Sequence, residues 1–487
     1  MYRPSSTVLA PGTAGGRPLA LAALVGALGA ALFAASAYAI SPLVLPGLVL
    51  VIALAVLAWK RPAWALAATV LLTPAELVSL PLPSGALSPA ETGLAIVALA
   101  WLGRALFAPE TVVLPSVRDL PILVLLGTTL VGLTVAVDTA FVIRIFVLWT
   151  LFYFVYLQAQ SLSPAEIRWV LIAFVVAAGI LGTLGAVAFL TSNETTLFEG
   201  GLHTGERATG TFVDANYYAS LLIVAIVPGV ALAFADFKGH GWLLLPLAGG
   251  IGGVVFSLSR GGIAGLAFGL LSLLLMRRAR LLLLVLVPVV AASTLLGLTP
   301  FTRSEQLTIV GERLGTLNRS LSSRDARPRI WGVALEMTAQ HPFTGVGARN
   351  FGEVAGNFGL FDRGSPVENA HNTPLSFAAE NGVFGAAAFI FLVVQLLFRA
   401  FKALSARDRL ARAVGVGLLG GLLGFLLQSL TQAQLRVNVV TGVFFLLGGF
   451  VTALSDSASK QALESRTEIA DGSRAAAVPP TARTIPA

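Results

Sequence analysis

The sequence has no cysteine, which excludes disulfides and thiolate metal sites and leaves the redox compartment unspecified. Charge is scarce: 11% of the 487 residues are Asp, Glu, Lys or Arg, where a soluble domain carries about a quarter. Lysine is confined to Lys60, Lys238, Lys402 and Lys460. Nucleotide and metal motifs are missing too. No glycine-rich loop ends in Gly-Lys-Ser/Thr, no His-Glu-x-x-His occurs, and no cluster has metal-ligand spacing. Gly345-Val-Gly347 lacks the third glycine and the sheet of a dinucleotide site. Energy coupling by ATP, a bound metal and an organic cofactor are therefore not expected.

What fills the chain instead is apolar: 56% of it is hydrophobic and the mean hydropathy is +0.85. Runs of about 18 or more apolar residues recur, each long enough to cross roughly 30 Å of hydrocarbon as a helix. They do not alternate as barrel strands would, and backbone in lipid must be paired within its own segment. The expected fold is an all-α polytopic transmembrane protein of about 14 helices (roughly 12–14). The spans begin near Pro18, Pro42, Pro62, Leu87, Leu120, Phe141, Trp169, Ala215, Trp242, Gly261, Leu281, Thr373, Val414 and Val439. The N-terminal run ending at Ala35-Ser-Ala-Tyr-Ala39 is long for a signal peptide and reads as an uncleaved first helix.

The formal charge of +8 does not indicate a nucleic-acid partner, because most cations fall in short interhelical loops and set topology. Lys60-Arg61, Arg104, Arg118, Arg168, Lys238, Arg277-Arg278-Ala279-Arg280 and the stretch from Arg399 to Arg412 share one side when spans alternate. That side is read as cytoplasmic, with both termini on it. The expected organisation is a cytoplasmic N-terminus at 1–17, helices one to eleven across 18–299 with an outer loop at 191–212, a long periplasmic loop at 300–371, the last three helices at 372–454 and a disordered cytoplasmic tail at 455–487. A structureless loop of about seventy residues is unusual, so 300–371 is expected to hold helices and a function.

From Arg303 to Arg363 that loop carries arginine and no lysine. Guanidinium is a permanently charged fork suited to phosphate oxygens, although a codon bias toward arginine explains the bulk count equally well. Position says more. Arg207, in Gly205-Glu-Arg-Ala-Thr-Gly-Thr-Phe-Val-Asp-Ala-Asn216, and Arg260, in Ser257-Leu-Ser-Arg-Gly-Gly262, lie at helix ends flanked by glycine, where backbone approaches a ligand closely. The competing role is an interfacial arginine snorkelling to lipid phosphates. Arg327 to His341 follows helical spacing, with Ile330, Val333, Ala334 and Met337 on one face. A short helix lying with that face on the bilayer is expected, leaving Arg329 on the polar side as a weaker ligand candidate.

His371 and Asn372 stand where the loop re-enters the membrane, and Glu380 follows deeper along the same helix. A histidine is the usual proton acceptor near neutral pH. His203 and His341 read as interfacial polar residues and His240 as cytoplasmic.

Together these stretches resemble the O-antigen ligase and Wzy-type polymerase superfamily. The resemblance rests on Arg207 through Ala219, Ser259-Arg-Gly-Gly262, Trp331 through His341-Pro-Phe-Thr-Gly-Val-Gly347, His371-Asn-Thr-Pro-Leu375 and Glu380-Asn-Gly-Val-Phe-Gly385, in that order around a long outer loop. It implies a metal-independent membrane glycosyltransferase of the C-type fold. Such an enzyme takes a glycan from an undecaprenyl diphosphate carrier and passes it to another glycan, to lipid A core or to a protein. It also implies Arg207 and Arg260 at the carrier diphosphate, His371 activating the acceptor hydroxyl, and Arg329, Asn216, Asn372 and Glu380 as substrate-binding residues. The bacterial cytoplasmic membrane, with the site facing outward, is the implied location.

Two other classes remain open. A transporter or flippase would place ionisable groups at mid-bilayer on broken helices, and here such charges are few: Glu76, Glu91 and Arg144. A non-catalytic scaffold would not need Arg207, Arg260 and His371 at one face.

Overall fold

The computed structural model describes residues 44–76, 80–82, 85–191, 203–204, 207–212, 214–276, 326–362 and 365–476. The longer helices are α1 (Val44–Lys60), α2 (Pro62–Val70), α3 (Pro89–Phe107), α4 (Leu120–Val131), α5 (Thr139–Gln160), α6 (Pro164–Thr191), α7 (Ala215–Ala235), α8 (Leu244–Phe256), α9 (Arg260–Leu271), α10 (Arg327–Gln340), α11 (Thr373–Ala403), α12 (Arg409–Ser429) and α13 (Asn438–Ala476). Three two-stranded antiparallel hairpins decorate the connections, at Leu80–Leu82 with Gly85–Leu87, His203–Thr204 with Arg207–Ala208, and Phe361–Asp362 with Ser365–Pro366. Side chains cap α3, α5, α7, α9, α11 and α12 at Ser88, Asp138, Asp214, Ser259, Asn372 and Asp408. Each accepts a backbone N–H that a helix start leaves unpaired.

Among the described residues nine helices are long and apolar enough to cross a membrane, and two shorter apolar ones cover 47–60 and 260–275. The span expected from Pro62 differs from its expectation. Its α-helix is only nine residues, about 13 Å at 1.5 Å per residue, and it continues as a turn and a 3₁₀ segment at Thr73–Ala75. It nonetheless runs antiparallel to α3: a Cβ on Gly103 would strike the Trp59 ring at 2.7 Å, and one on Gly93 would strike Thr69 at the same distance. Pro74 and the two turn residues before it interrupt the ladder where a single helix was expected. The spans expected from Pro18 and Leu281 lie outside the described residues.

Helices α9 and α12 cross through small residues. A Cβ on Gly265 would lie 2.6 Å from the Gly424 carbonyl oxygen, and one on Gly269 2.7 Å from that of Gly420. Backbone approaches of this kind drive helix association where lipid leaves no hydrophobic difference to exploit.

The charged connections gather at two opposite ends of the helices. At one, Arg104 donates to Gln158, Arg118 pairs with Asp456 at 3.2 Å, Gln395 donates to the Arg118 carbonyl and Arg407 N donates to Gln461. These are the loops that sequence alternation assigns to a common side. Their partners also account for the C-terminus. A disordered tail from Ser455 was expected, but α13 continues to Ala476, with Ser455 and Ala458 buried and Asp456 and Gln461 bonded to neighbouring connections.

At the other end lies the loop 326–371. Helix α10 forms as the spacing predicts, but its apolar face does not lie on the bilayer. Ile330, Val333, Ala334 and Met337 pack with Val346, Phe351, Ala355, Leu360, Val367, Ala370 and Ala379 in a core that the loop shares with α11. The loop has apolar surface of its own, and covering it outcompetes docking on lipid.

Candidate active site

The helix expected from Thr373 is two helices in line. Gly382 has φ 71° and ψ −177°, outside the helical region and open only to glycine. The break releases the carbonyls of Ala379 and Glu380, which accept the N–H groups of Val346 and Gly347 at 2.8 and 3.0 Å, while Val383 N donates to the Pro342 carbonyl at 2.7 Å. The turn at Gly345 is equally constrained. Its φ is 60°, and a Cβ there would sit 2.3 Å from the Glu380 carbonyl carbon. The glycine motif of the loop thus docks, backbone to backbone, into a broken helix, and this holds the residues before the break in place.

Arg207 emerges from its short hairpin half-buried and directed at two other segments. Its Nε donates to the Ser257 carbonyl at 2.9 Å and one Nη to Asn216 Oδ1 at 3.0 Å. The same Oδ1 accepts the Ser259 hydroxyl at 2.8 Å. Ser259 caps α9, whose first residue is Arg260. Asn216 therefore joins the two arginine-bearing stretches. The Arg260 side chain is exposed.

His371 adopts φ 45°, a conformation rare for a residue with a Cβ and concentrated at functional sites. Its N–H donates to Asn369 Oδ1 at 2.9 Å. Its Nδ1 faces Gln432 Oε1 at 2.9 Å. A carboxamide oxygen only accepts, so Nδ1 carries the proton and the Nε2 lone pair is left to accept one.

What brings these groups together is the end of α12 and the connection after it, which sequence reasoning passed over. Gln428 Nε2 donates to the Asn216 carbonyl at 2.9 Å. A Cβ on Gly261, next to Arg260, would lie 2.8 Å from Thr431 Oγ1. Gln432 holds His371, and its carbonyl accepts the Thr373 hydroxyl at 2.9 Å. Five residues, Gln428 to Gln432, thus touch all three expected site segments. Gln434 bonds both Ser220 of α7 and Thr373 of α11. The signal available was a polar run, Gln428-Ser-Leu-Thr-Gln-Ala-Gln434, between two apolar spans.

The remaining expected residues have structural bonds. Asn372 accepts Leu375 N at 3.0 Å and donates to the Leu430 carbonyl at 2.9 Å, capping α11 and tying it to the same connection. Glu380, buried just before the break, pairs with Arg436 at 3.0 Å. Arg329 is exposed and donates to the Gly359 carbonyl at 2.9 Å, bracing the loop rather than joining Arg207 or His371. Among the described residues no cluster of His, Asp or Glu is arranged to hold a metal ion.

The arrangement presents a held guanidinium at Arg207 and an exposed one at Arg260, an imidazole with a defined lone pair and glycine-lined backbone at one end of the helices. Residues 245–390 match a family model described as O-Antigen ligase (Wzy_C). The match spans α8 to the upper half of α11 and includes Arg260, Arg329, His371 and Glu380, with Arg207 and Asn216 before it. No curated protein matches the chain significantly.

Proposed function

We propose that this multi-spanning chain, whose residues 245–390 match the O-Antigen ligase family model, is a membrane glycosyltransferase. It moves a glycan from an undecaprenyl diphosphate carrier to an acceptor hydroxyl at the outer face of the bacterial cytoplasmic membrane. The observation that carries this reading is the run Gln428 to Gln432, which hydrogen-bonds Asn216 beside Arg207 at one end and His371 at the other.

In the reaction, His371 Nε2 accepts the proton of the acceptor hydroxyl as its oxygen forms a bond to the anomeric carbon. The bond from that carbon to the carrier phosphate breaks, and the diphosphate leaves with the electron pair. Its developing charge meets the guanidinium groups of Arg260 and of Arg207, the latter held in advance by Asn216 and Ser257, without a metal. Asn216 and Ser257 keep Arg207 from collapsing onto the leaving group's position. The acceptor is a glycan, lipid A core or a protein hydroxyl.

The test is transfer by the purified full-length protein from a synthetic undecaprenyl diphosphate glycan to candidate acceptors, with chelator present. Covalent product that survives chelation and disappears in His371→Ala supports the reading. Solute uptake into sealed vesicles without covalent product would replace it with a transporter.

A further inference from the structure

Beside the His371 site lies an open pocket whose lining includes Trp149, Arg349, Ser376, Glu380 and Arg436. Thr373 and Ala433 also line it; Thr373 bonds the carbonyl of Gln432, whose side chain holds His371, so the pocket adjoins the proposed reaction centre.

Its chemistry is unbalanced in two ways. First, the pocket lining brings two guanidiniums, Arg349 and Arg436, to one carboxylate, Glu380. Arg436 pairs with Glu380, with only 17% and 11% of their side chains exposed, while Arg349 donates to the neutral Asn438 at 3.1 Å. Arg349 is wrapped by protein yet reaches the pocket. Its proton affinity is pushed down to about 9, by burial first and by the Arg436 charge next, so it stays charged at neutral pH. An anion beside it would relieve both causes. Second, among the described residues Ser376 Oγ and Trp149 Nε1 are buried without a hydrogen-bond partner, in residues exposed by 9% and 5%. Buried donors left unmatched are costly, and both belong to residues lining the same cavity.

Two cationic forks and two unmatched donors ask for an acceptor-rich, negatively charged ligand. We infer that this pocket holds an anionic sugar, a residue bearing a carboxylate or phosphate substituent, on the glycan positioned beside His371; the role beside His371 rests on the transferase reading above. Arg349 and Arg436 bind the substituent, and Ser376 with Trp149 donate to ring hydroxyls. The carrier diphosphate stays with Arg207 and Arg260, on the other side of Gln428 to Gln432.

The experiment is equilibrium binding of glucuronate, glucose 6-phosphate, glucose and inorganic phosphate to the purified full-length protein in detergent. At least one sugar anion is expected to bind tenfold or more tightly than glucose; glucuronate marks a carboxylate substituent, glucose 6-phosphate a phosphate. The paired change Arg436→Gln with Glu380→Gln, which removes both charges together, should bring the anions to the level of glucose. Ser376→Ala, whose hydroxyl has no partner to lose, should weaken them several-fold on an intact fold. Arg118→Gln, at the opposite end of the helices, should leave them unchanged. Equal binding of glucose and both anions, binding of inorganic phosphate alone, or loss in Arg118→Gln but not in the Arg436 pair overturns the inference. Because this assay needs no turnover, failed transfer with retained anion binding rejects only the transferase reading, and the converse rejects only the pocket.

Discussion

Gln432 Oε1 lies 2.9 Å from His371 Nδ1, a contact between residues sixty-one apart in the chain, and it fixes which ring nitrogen is basic. Gln432 is buried, with 3% exposure, so the imidazole cannot easily trade this partner for water. Gln432→Leu fills similar space but releases the ring. Since a positioned general base contributes about 10²–10⁴-fold, the loss of its orientation should lower kcat by about ten- to a hundredfold with KM little changed. Gln432→Glu sets a carboxylate against Nδ1, which favours the imidazolium. The base is then available only at higher pH, and the acid limb of the rate profile should move upward. Unchanged kcat and pH profiles in both variants would remove His371 from the reaction as proposed.

Asn216 carries a parallel prediction for the donor side. Its Oδ1 holds both Arg207 and Ser259, and a hydrogen bond to a charged group contributes about 1.5–3 kcal/mol. Asn216→Ala should therefore lower kcat/KM by about 10- to 100-fold, read as a weaker response to the lipid diphosphate donor. Asn216→Asp keeps an acceptor in place but neutralises Arg207 and repels the diphosphate, so it should not restore activity. Recovery to wild-type rates in the aspartate variant would mean that Arg207 serves the fold and not the donor.

Both residues show where reading a sequence stops. Most of the described membrane spans were legible because length and apolarity suffice to specify them, and the arginine and histidine stretches stood out as candidates because their polar groups interrupt apolar runs. Periodicity likewise exposed the apolar face of Ile330, Val333, Ala334 and Met337. It could not say what covers that face, and the loop's own Phe351, Leu360 and Val367 proved to be nearer than lipid. Gln428 and Gln432 escaped for a related reason: an uncharged amide has no local signature, and its role exists only after four distant segments meet. The half-buried Arg349 and Arg436 escaped because the carboxylate bonded to Arg436, Glu380, is also a tertiary partner.

The glycines at the helix break make a stability prediction that is independent of substrate. At Gly382 a Cβ would combine φ 71° with a 2.7 Å approach to the Phe343 carbonyl carbon, and at Gly345 φ 60° with the 2.3 Å approach to Glu380. Left-handed backbone alone costs a residue with a Cβ about 1–2 kcal/mol, and the contacts are with backbone that has nowhere to move. Gly382→Ala and Gly345→Ala should lower the apparent melting temperature in detergent by several degrees or abolish folding. Gly332, inside α10 with nothing within 4 Å of its missing Cβ, is the control. Gly332→Ala should raise it, since alanine is favoured over glycine in a helix by about 1 kcal/mol. Equal tolerance at all three positions would mean that the loop does not dock on the break.

Sidedness can be tested directly because the chain has no cysteine and so gives no labelling background. Glu353, in the loop near the site, and Ser405, between α11 and α12, are both exposed. The bonds from Asn350 to Asp138 and from Arg407 to Gln461 set these two connections at opposite ends of α5, α11 and α13. Alternating spans with the cation-rich loops in the cytoplasm put Glu353 outside and Ser405 inside. In intact cells an impermeant maleimide should therefore label Glu353→Cys at once, and Ser405→Cys only after the cytoplasmic membrane is permeabilised. The reverse pattern would place the imidazole and the arginines in the cytoplasm. A glycan carrier presented at the outer leaflet would then be out of reach, and the transferase proposal would fail whatever the geometry of its residues.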